Sequence, residues 1–335
     1  MTEVLVPYGW SDRVAALYNS VAGGRLRPAR VVRIERSHAS VFDGATRLVP
    51  LVGADRPAVG DWVATDDNLI RDILPRWSAL ARTDPDPSGR PQVLAANVDL
   101  VLITAPADRA SPGRVERELA MAWECGAAPV VVVTKADLNP QLPGALAGRL
   151  LGVDVIGASA VTGGGIDDLR HRLAPNRTAV LLGPSGAGKS SLANALMGDS
   201  VQATGAVRDD DRRGRHTTTS RQLMIVPGGG VLIDTPGLRS LALAGADVES
   251  VFPEIETVAA GCRFSDCSHE LEPGCAVLAA VADGRLDRDR LNSWRKLQRE
   301  VAADRRRRDP MARQETIRVH KQRTKEFRRS DKRRM

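Results

Sequence analysis

Apolar positions along this 335-residue chain follow two rhythms, short strand-length runs and longer runs with helical spacing. Between Arg30 and Leu74 the first rhythm prevails. Arg30–Arg36, Ala39–Phe42, Arg47–Val52, Asp61–Ala64 and Leu69–Leu74 each read as a strand, with Asp43-Gly44 as a turn, so five short strands predict a small barrel. From Val98 strands and helices alternate. Val98–Thr104, Val130–Thr134, Val153–Ile156 and Thr178–Leu182 are strand-length, while Ser111-Pro112 opens a helix that reaches Cys125 and stops at Gly126, and Ile166–Leu173 is a further helix. Such alternation predicts an α/β domain. Thr83–Pro91, rich in proline and glycine, is the linker between the two. Asp12–Tyr18 reads as a short helix, and Arg285–Arg306, with Leu286, Leu291, Trp294 and Leu297, as another.

The densest chemistry follows the Thr178–Leu182 strand. Gly183, Pro184, Ser185, Gly186, Ala187, Gly188, Lys189 and Ser190 match G-x-x-x-x-G-K-[ST], and the run from Ser191 to Met197 continues as a helix stopped by Gly198. Glycines let backbone N–H groups turn toward an anion, the lysine carries charge to the outer phosphates, and the Ser190 hydroxyl is placed to ligate Mg²⁺. The helix N-terminus adds partial positive charge. Asp234-Thr-Pro-Gly237 after Val231–Ile233 puts a carboxylate at a strand end, where P-loop NTPases hold their second Mg²⁺ contact.

Thr134-Lys135-Ala136-Asp137, at the end of an apolar run, resembles the guanine-reading N-K-x-D motif and favours GTP over ATP. Ser159-Ala160 resembles the small motif that supports the same base. These motifs stand in an unusual order, with the guanine motif before the phosphate loop, which a circular permutation explains. Together with Gly60-Asp-Trp-Val63, Ile73-Leu-Pro-Arg76, Gly214-Arg-His-Thr-Thr-Thr219 and a late cysteine cluster, this order resembles the ribosome small-subunit-dependent GTPase A family, known as RsgA or YjeQ. One departure is Thr134, where asparagine is usual.

The cluster is Cys262, Cys267, His269 and Cys275, whose C-x4-C-x-H-x5-C spacing offers three thiolates and one imidazole. That closes a tetrahedral shell, so one structural Zn²⁺ is expected, with reduced cysteines in a helical cap as the alternative. Four cysteines in all, three of them here, do not form the framework of a secreted domain. No targeting segment or membrane-length apolar stretch is seen, and a cytoplasmic protein is expected.

Charge is uneven. Net charge is +7, but 301–335 carries 14 Lys and Arg against 5 Asp and Glu, so the tail holds the basic character. A phosphate backbone is one partner for such a run; a solvated tail is the alternative. Arg25, Arg27, Arg30, Arg33, Arg36 and Arg47 add charge to the strand-rich region, where they argue RNA contact only in aggregate.

The resemblance implies a multidomain protein. It comprises an oligonucleotide-binding (OB)-like RNA-binding barrel with an N-terminal extension at 1–88 and a circularly permuted α/β P-loop GTPase domain at 92–248. A helical zinc-binding domain at 249–300 and a basic helix or tail at 301–335 follow. Periodicity alone would equally allow an SH3-like barrel. It implies a monomeric, Mg²⁺-dependent GTP hydrolase that binds the small ribosomal subunit and its 16S rRNA with other assembly factors, late in maturation and without a membrane. A nucleotide-gated RNA-binding protein with incidental hydrolysis is the alternative.

Ser190, Asp234 and Thr218 are expected to hold Mg²⁺, and Lys189 with the loop N–H groups to neutralise phosphate charge. Leu238 stands where many GTPases carry a water-orienting glutamine after D-x-x-G. His216, in the polar stretch Thr204–Ser220, is the nearest group able to take that role.

Overall fold

Residues 27–73 form five antiparallel strands, β1 (Arg27–Ile34), β2 (His38–Phe42), β3 (Thr46–Pro50), β4 (Trp62–Thr65) and β5 (Ile70–Ile73), paired in the order β3-β2-β1-β4-β5. Their inward positions bury Ala29, Val31, Ala39, Val41, Val49 and Val63, the set a half-buried strand alternation selects. Among the described residues no pairing joins β3 to β5, so a closed barrel is not established. The structure is a computed structural model. It describes residues 2–22, 26–35, 37–52, 56–66, 68–82, 92–198, 221–234 and 247–308, and divides into two units, 1–241 and 242–335.

The N-terminal segment, opaque in sequence, packs on these strands. A 3-10 turn, Glu3–Tyr8, and helix α1 (Asp12–Val21) bury Leu5 and Val14 against Trp62 and Leu74. Tyr8 stacks on Phe42 with ring centroids 4.0 Å apart, and Trp10 meets Trp62 edge-on at 5.3 Å. Arg30 belongs to this interior and not to a charged outer face, since it is 0% exposed. Its guanidinium donates to Tyr8 O at 2.6 Å, Gly60 O at 3.1 Å and Thr178 Oγ1 at 3.0 Å, and lies 4.7 Å from the Trp62 ring.

A two-stranded hairpin, β6 (Ala79–Arg82) and β7 (Gln92–Ala96), flanks the proposed linker, whose residues lie outside those described. The α/β part follows as β8 (Leu100–Pro106), α2 (Pro112–Glu124), β9 (Ala128–Thr134), α3 (Leu142–Arg149), β10 (Asp154–Ala158), α4 (Ile166–Leu173), β11 (Thr178–Leu182), α5 (Lys189–Met197), β12 (Arg221–Ile225) and β13 (Val231–Asp234). The order β10-β9-β8-β11-β13 is parallel throughout. Strand β12 runs antiparallel to β13 and pairs at Gln222 and Arg221 with Arg33 and Ile34 of β1, so one eleven-stranded sheet spans both parts of the first unit. One core cluster joins Leu102, Val132, Leu181 and Leu232 of the sheet to Leu169, Leu173, Leu192 and Leu196 of α4 and α5.

Helix α3 carries Pro143, Gly144 and Gly148 and buries only Leu146, which explains why periodicity did not reveal it. The second unit contains α6 (Pro253–Ala259), α7 (Ala276–Ala282) and α8 (Arg288–Arg308). Phe252 is fully buried there under the Arg290 guanidinium, 4.4 Å from its ring, and Arg290 Nε donates to Glu254 at 2.7 Å. Among the described residues no helix is long and apolar enough to cross a membrane.

Candidate nucleotide site and metal centre

In a parallel sheet the C-terminal strand ends lie on one edge, and loops leaving that edge are where such sheets bind ligands. Register puts Ala158 of β10 beside Thr134 of β9, Thr134 beside Pro106 of β8, Ile103 beside Leu182 of β11, and Val180 beside Ile233 of β13. The segments Thr134–Asp137, Ser159-Ala160 and Gly183–Ser190, with Asp234, therefore leave the same edge, although they are spread over a hundred residues.

The phosphate loop forms because a fully buried strand runs into three left-handed glycines, with φ of 146° at Gly183, 72° at Gly186 and 82° at Gly188. At Gly183 a Cβ would lie 2.1 Å from Thr104 Oγ1, so only glycine lets the loop pass β8. Lys189 Nζ donates to Gly183 O at 2.8 Å and Pro184 O at 2.7 Å, which folds the lysine over its own loop. Ser190 and Ser191 are exposed at the first turn of α5, Ser185 is exposed, and Ala187 is buried.

Thr134 resolves its departure from asparagine. Its buried hydroxyl donates to Ala187 O at 2.6 Å, so the threonine braces the phosphate loop. Lys135, at a φ of 55°, opens a 3-10 turn over Ala136–Leu138 that leaves Asp137 exposed. Its ammonium meets Asp108 at 2.9 Å, and that hydrogen bond holds the Asp108 carboxyl below its ordinary range. Ser159 is buried and accepts from Val161 N and Thr162 N at 3.3 and 3.2 Å, shaping its own turn, while Ala160 is exposed. Asp234 ends β13 and is exposed. His216, Thr218 and Gly237 lie outside the described residues.

Two groups that no motif flagged join this edge. Arg109 donates from Nη2 to Gly186 O at 2.7 Å and to Ser185 O at 3.4 Å. Glu118 of α2 is 7% exposed, one of its oxygens has no hydrogen-bond partner, and burial raises its carboxyl from an ordinary 4.5 to about 7 against the opposing Arg114, Lys189 and Arg117. Neither was legible, because both acquire meaning only when β8 and β11 lie side by side.

In the second unit Cys262, Cys267, His269 and Cys275 bring their ligand atoms within 4.8 Å of one another. Cys262 Sγ lies 3.6 Å from His269 Nδ1 and 3.9 Å from Cys275 Sγ, and Cys275 Sγ lies 3.4 Å from His269 Nδ1. A tetrahedral zinc with ordinary Zn–S and Zn–N bonds has ligand–ligand edges of about 3.6–3.8 Å, so the four residues fit one such ion. Cys275 also caps α7, its sulfur accepting from Leu278 N at 3.4 Å. Burial lowers the His269 imidazole, which favours the neutral ligand form. Trp294 covers its ring with centroids 5.2 Å apart, Arg295 donates to its carbonyl, and Glu272 ties down the intervening loop through the N–H groups of Ser268, Glu270 and Leu271. Cys125 stands apart, its thiol pushed up to about 11 by burial, as suits a small packing residue.

A family model described as RsgA GTPase matches residues 73–244. The small ribosomal subunit biogenesis GTPase RsgA of Streptomyces coelicolor is 47% identical over 319 residues, covering 89% of this chain and 87% of that protein. Its counterpart from Opitutus terrae is 43% identical over 335 residues, covering 90% and 91%. Among solved structures, YjeQ from Thermotoga maritima aligns with a TM-score of 0.59 at 27% identity over 82% of this chain and 98% of that one. YloQ, described as a circularly permuted GTPase, aligns at 0.61 over 86% and 99%, and at 22% identity it speaks for the fold alone.

Proposed function

The chain belongs to the RsgA GTPase family, and from that membership we propose that it binds GTP at the β8–β13 edge and hydrolyses it to GDP and phosphate in the service of small ribosomal subunit biogenesis. One observation carries the nucleotide assignment. The Thr134 hydroxyl bonded to Ala187 O locks the guanine motif to the phosphate loop, so base and phosphates of one nucleotide would be met by a single braced surface.

On this reading Asp137, open to solvent, accepts from the guanine N1–H and exocyclic amine, with Lys135 beside the base and Ser159-Ala160 supporting it. The N–H groups of Gly183–Ser191 and the Lys189 ammonium take the phosphates. Ser190, Asp234 and Thr218 would hold Mg²⁺, which supplies charge neutralisation at the β- and γ-phosphates. His216 would orient the attacking water, since Leu238 can neither donate nor accept a hydrogen bond. The Cys262, Cys267, His269 and Cys275 set would hold a structural Zn²⁺, a closed shell with no position for substrate.

Residues 1–88 would act as an OB-like RNA-binding barrel, supported by five strands around one apolar core and by Arg27, Arg33 and Arg47, which lie outside that core. The GTPase domain would span 92–248, the zinc-binding helical domain 249–300, and the basic segment 301–335 would add phosphate contacts. The partner is then the small subunit with its 16S rRNA, in the cytoplasm, the protein acting as a monomer alongside other assembly factors.

GTP and xanthosine triphosphate hydrolysis, each measured with and without small subunits, tests this. Wild type should prefer GTP and be accelerated by subunits. Asp137→Asn should move the preference toward the xanthine nucleotide by roughly tenfold to a hundredfold, the worth of hydrogen bonds to a charged group. His216→Ala should bind nucleotide and subunits yet lose the acceleration. Equal use of ATP and GTP by wild type would overturn the base assignment.

A further inference from the structure

Every carbonyl of the phosphate loop from Gly183 to Ala187 faces a donor. Lys189 Nζ holds those of Gly183 and Pro184, Arg109 Nη2 those of Ser185 and Gly186, and Thr134 Oγ1 that of Ala187. Lys189 and Thr134 belong to recognised motifs; Arg109 belongs to none. In a planar trans peptide the C=O and the following N–H point in opposite directions, so a carbonyl pinned on one side fixes an N–H on the other. The two carbonyls that Arg109 holds share their peptide planes with the N–H of Gly186, in the middle of the anion cradle, and with that of Ala187, which closes a turn onto Pro184 O at 3.2 Å.

Arg109 is itself placed with care. Its backbone N–H closes a turn onto Pro106 O at 3.0 Å, and Ala107 N donates to Thr134 O at 2.8 Å, so the short segment after β8 is anchored to both β8 and β9. The neighbouring Asp108 takes Lys135 at 2.9 Å, and this dipeptide therefore touches the guanine motif with one side chain and the phosphate loop with the other. A Cβ at residue 186 would lie 2.5 Å from Arg109 Nη2, so the glycine that the positive φ requires is also the one that admits the guanidinium.

We propose that Arg109 is a positioning residue for nucleotide binding, which holds the Ser185 and Gly186 carbonyls outward and so presets the Gly186 N–H toward phosphate and fixes the Ala187-to-Pro184 turn that shapes the loop around it. The proposal rests on the site being a nucleotide site. Both carbonyls are met by the one nitrogen Nη2, as the Lys189 ammonium meets those of Gly183 and Pro184, so the task needs a long cation that reaches the loop from β8. It acts on the phosphate-dependent part of affinity and leaves the base-dependent part alone.

Equilibrium binding of GDP and of guanosine, by competition against a fluorescent GDP analogue, separates the two parts in full-length wild type, Arg109→Ala and Arg109→Lys. Arg109→Ala should weaken GDP about tenfold, equivalent to ~1.4 kcal/mol, leave guanosine within twofold, and leave the thermal midpoint of the nucleotide-free protein unchanged. Arg109→Lys should recover part of the loss. Unchanged GDP affinity in Arg109→Ala overturns the proposal, and so does an equal loss of GDP and guanosine, which would mark a merely structural side chain. Should wild type prefer adenine nucleotides, the base assignment falls, and the same ADP-to-adenosine comparison still decides the role of Arg109.

Discussion

The nucleotide edge and the Cys262–Cys275 cluster are assembled by opposite means. Fourteen consecutive residues supply all four ligands of the cluster, and local devices, the Cys275 cap on α7 and the Glu272 ties, shape the loop between them. The nucleotide edge draws on Arg109, Thr134, Ser159, Gly183–Ser190 and Asp234, and nothing local brings them together. A cluster of the first kind depends on its own short segment; a site of the second kind depends on strand register and on the packing that maintains it. Their sensitivities should therefore be separable.

The largest expected effect is loss of the metal. Structural zinc sites bind with about 10–16 kcal/mol of apparent free energy that doubles as folding free energy. Wild type should carry one zinc per chain by elemental analysis. Strong chelation or Cys275→Ser should expose the amides of 253–308 to hydrogen exchange while GDP affinity holds. Metal-free protein with full protection over that segment would remove the metal from the account, and a parallel loss of GDP affinity would break the separation.

A mid-sized effect is expected from Arg30, remote in sequence from every motif. Burial lowers its guanidinium to about 10, against Asp99 and Asp61, so it stays charged at neutral pH. Arg30→Met would leave the Tyr8 and Gly60 carbonyls and the Thr178 hydroxyl, at the first residue of β11, without that donor. About 2–3 kcal/mol of stability should go, read by denaturant unfolding. Zinc content should stay at one per chain; a variant as stable as wild type would show that β1 does not brace the strand feeding the phosphate loop.

The smallest effect concerns Glu118. A carboxyl raised from 4.5 to about 7 by burial contributes stability that is complete below pH 4.5 and lost as pH rises through about 7. Glu118→Gln should therefore match wild type near pH 4 and exceed it by about 1 kcal/mol at pH 8, after discounting the relaxation that softens such penalties. Thermal midpoints across that range check the sign. A gain at low pH, or none at high pH, would mean that the carboxyl is not the strained group its burial suggests.

Where sequence and structure agree, the cause is local chemistry. The loop Gly183–Ser190 was legible because glycine is required at the positive-φ positions and the lysine and serine follow at one fixed spacing. The gathering of Cys262, Cys267, His269 and Cys275 was legible for a similar reason, since four candidate ligands within one short segment have few ways to stand apart. Strands β1–β5 were legible from alternation, to within a few residues at their ends. Arg30 shows the limit of such inference. Composition counts it as surface charge, whereas burial under Trp62 with three acceptors makes it a strut of the interior.

The sequence by itself determined the motifs, their permuted order, and the residue types that a phosphate, a guanine base and a zinc ion require. Tertiary structure decided which of those residues meet. Strand order β10-β9-β8-β11-β13 is a matter of long-range pairing that no window of sequence contains, and it alone sets Thr134 against Ala187, Arg109 on Gly186 and Glu118 in a dry interior. It also joined β12 to β1, so that an N-terminal region separable by composition shares one continuous sheet with the nucleotide edge. Periodicity reports which face of an element is buried; only the packed sheet specifies what it is buried against.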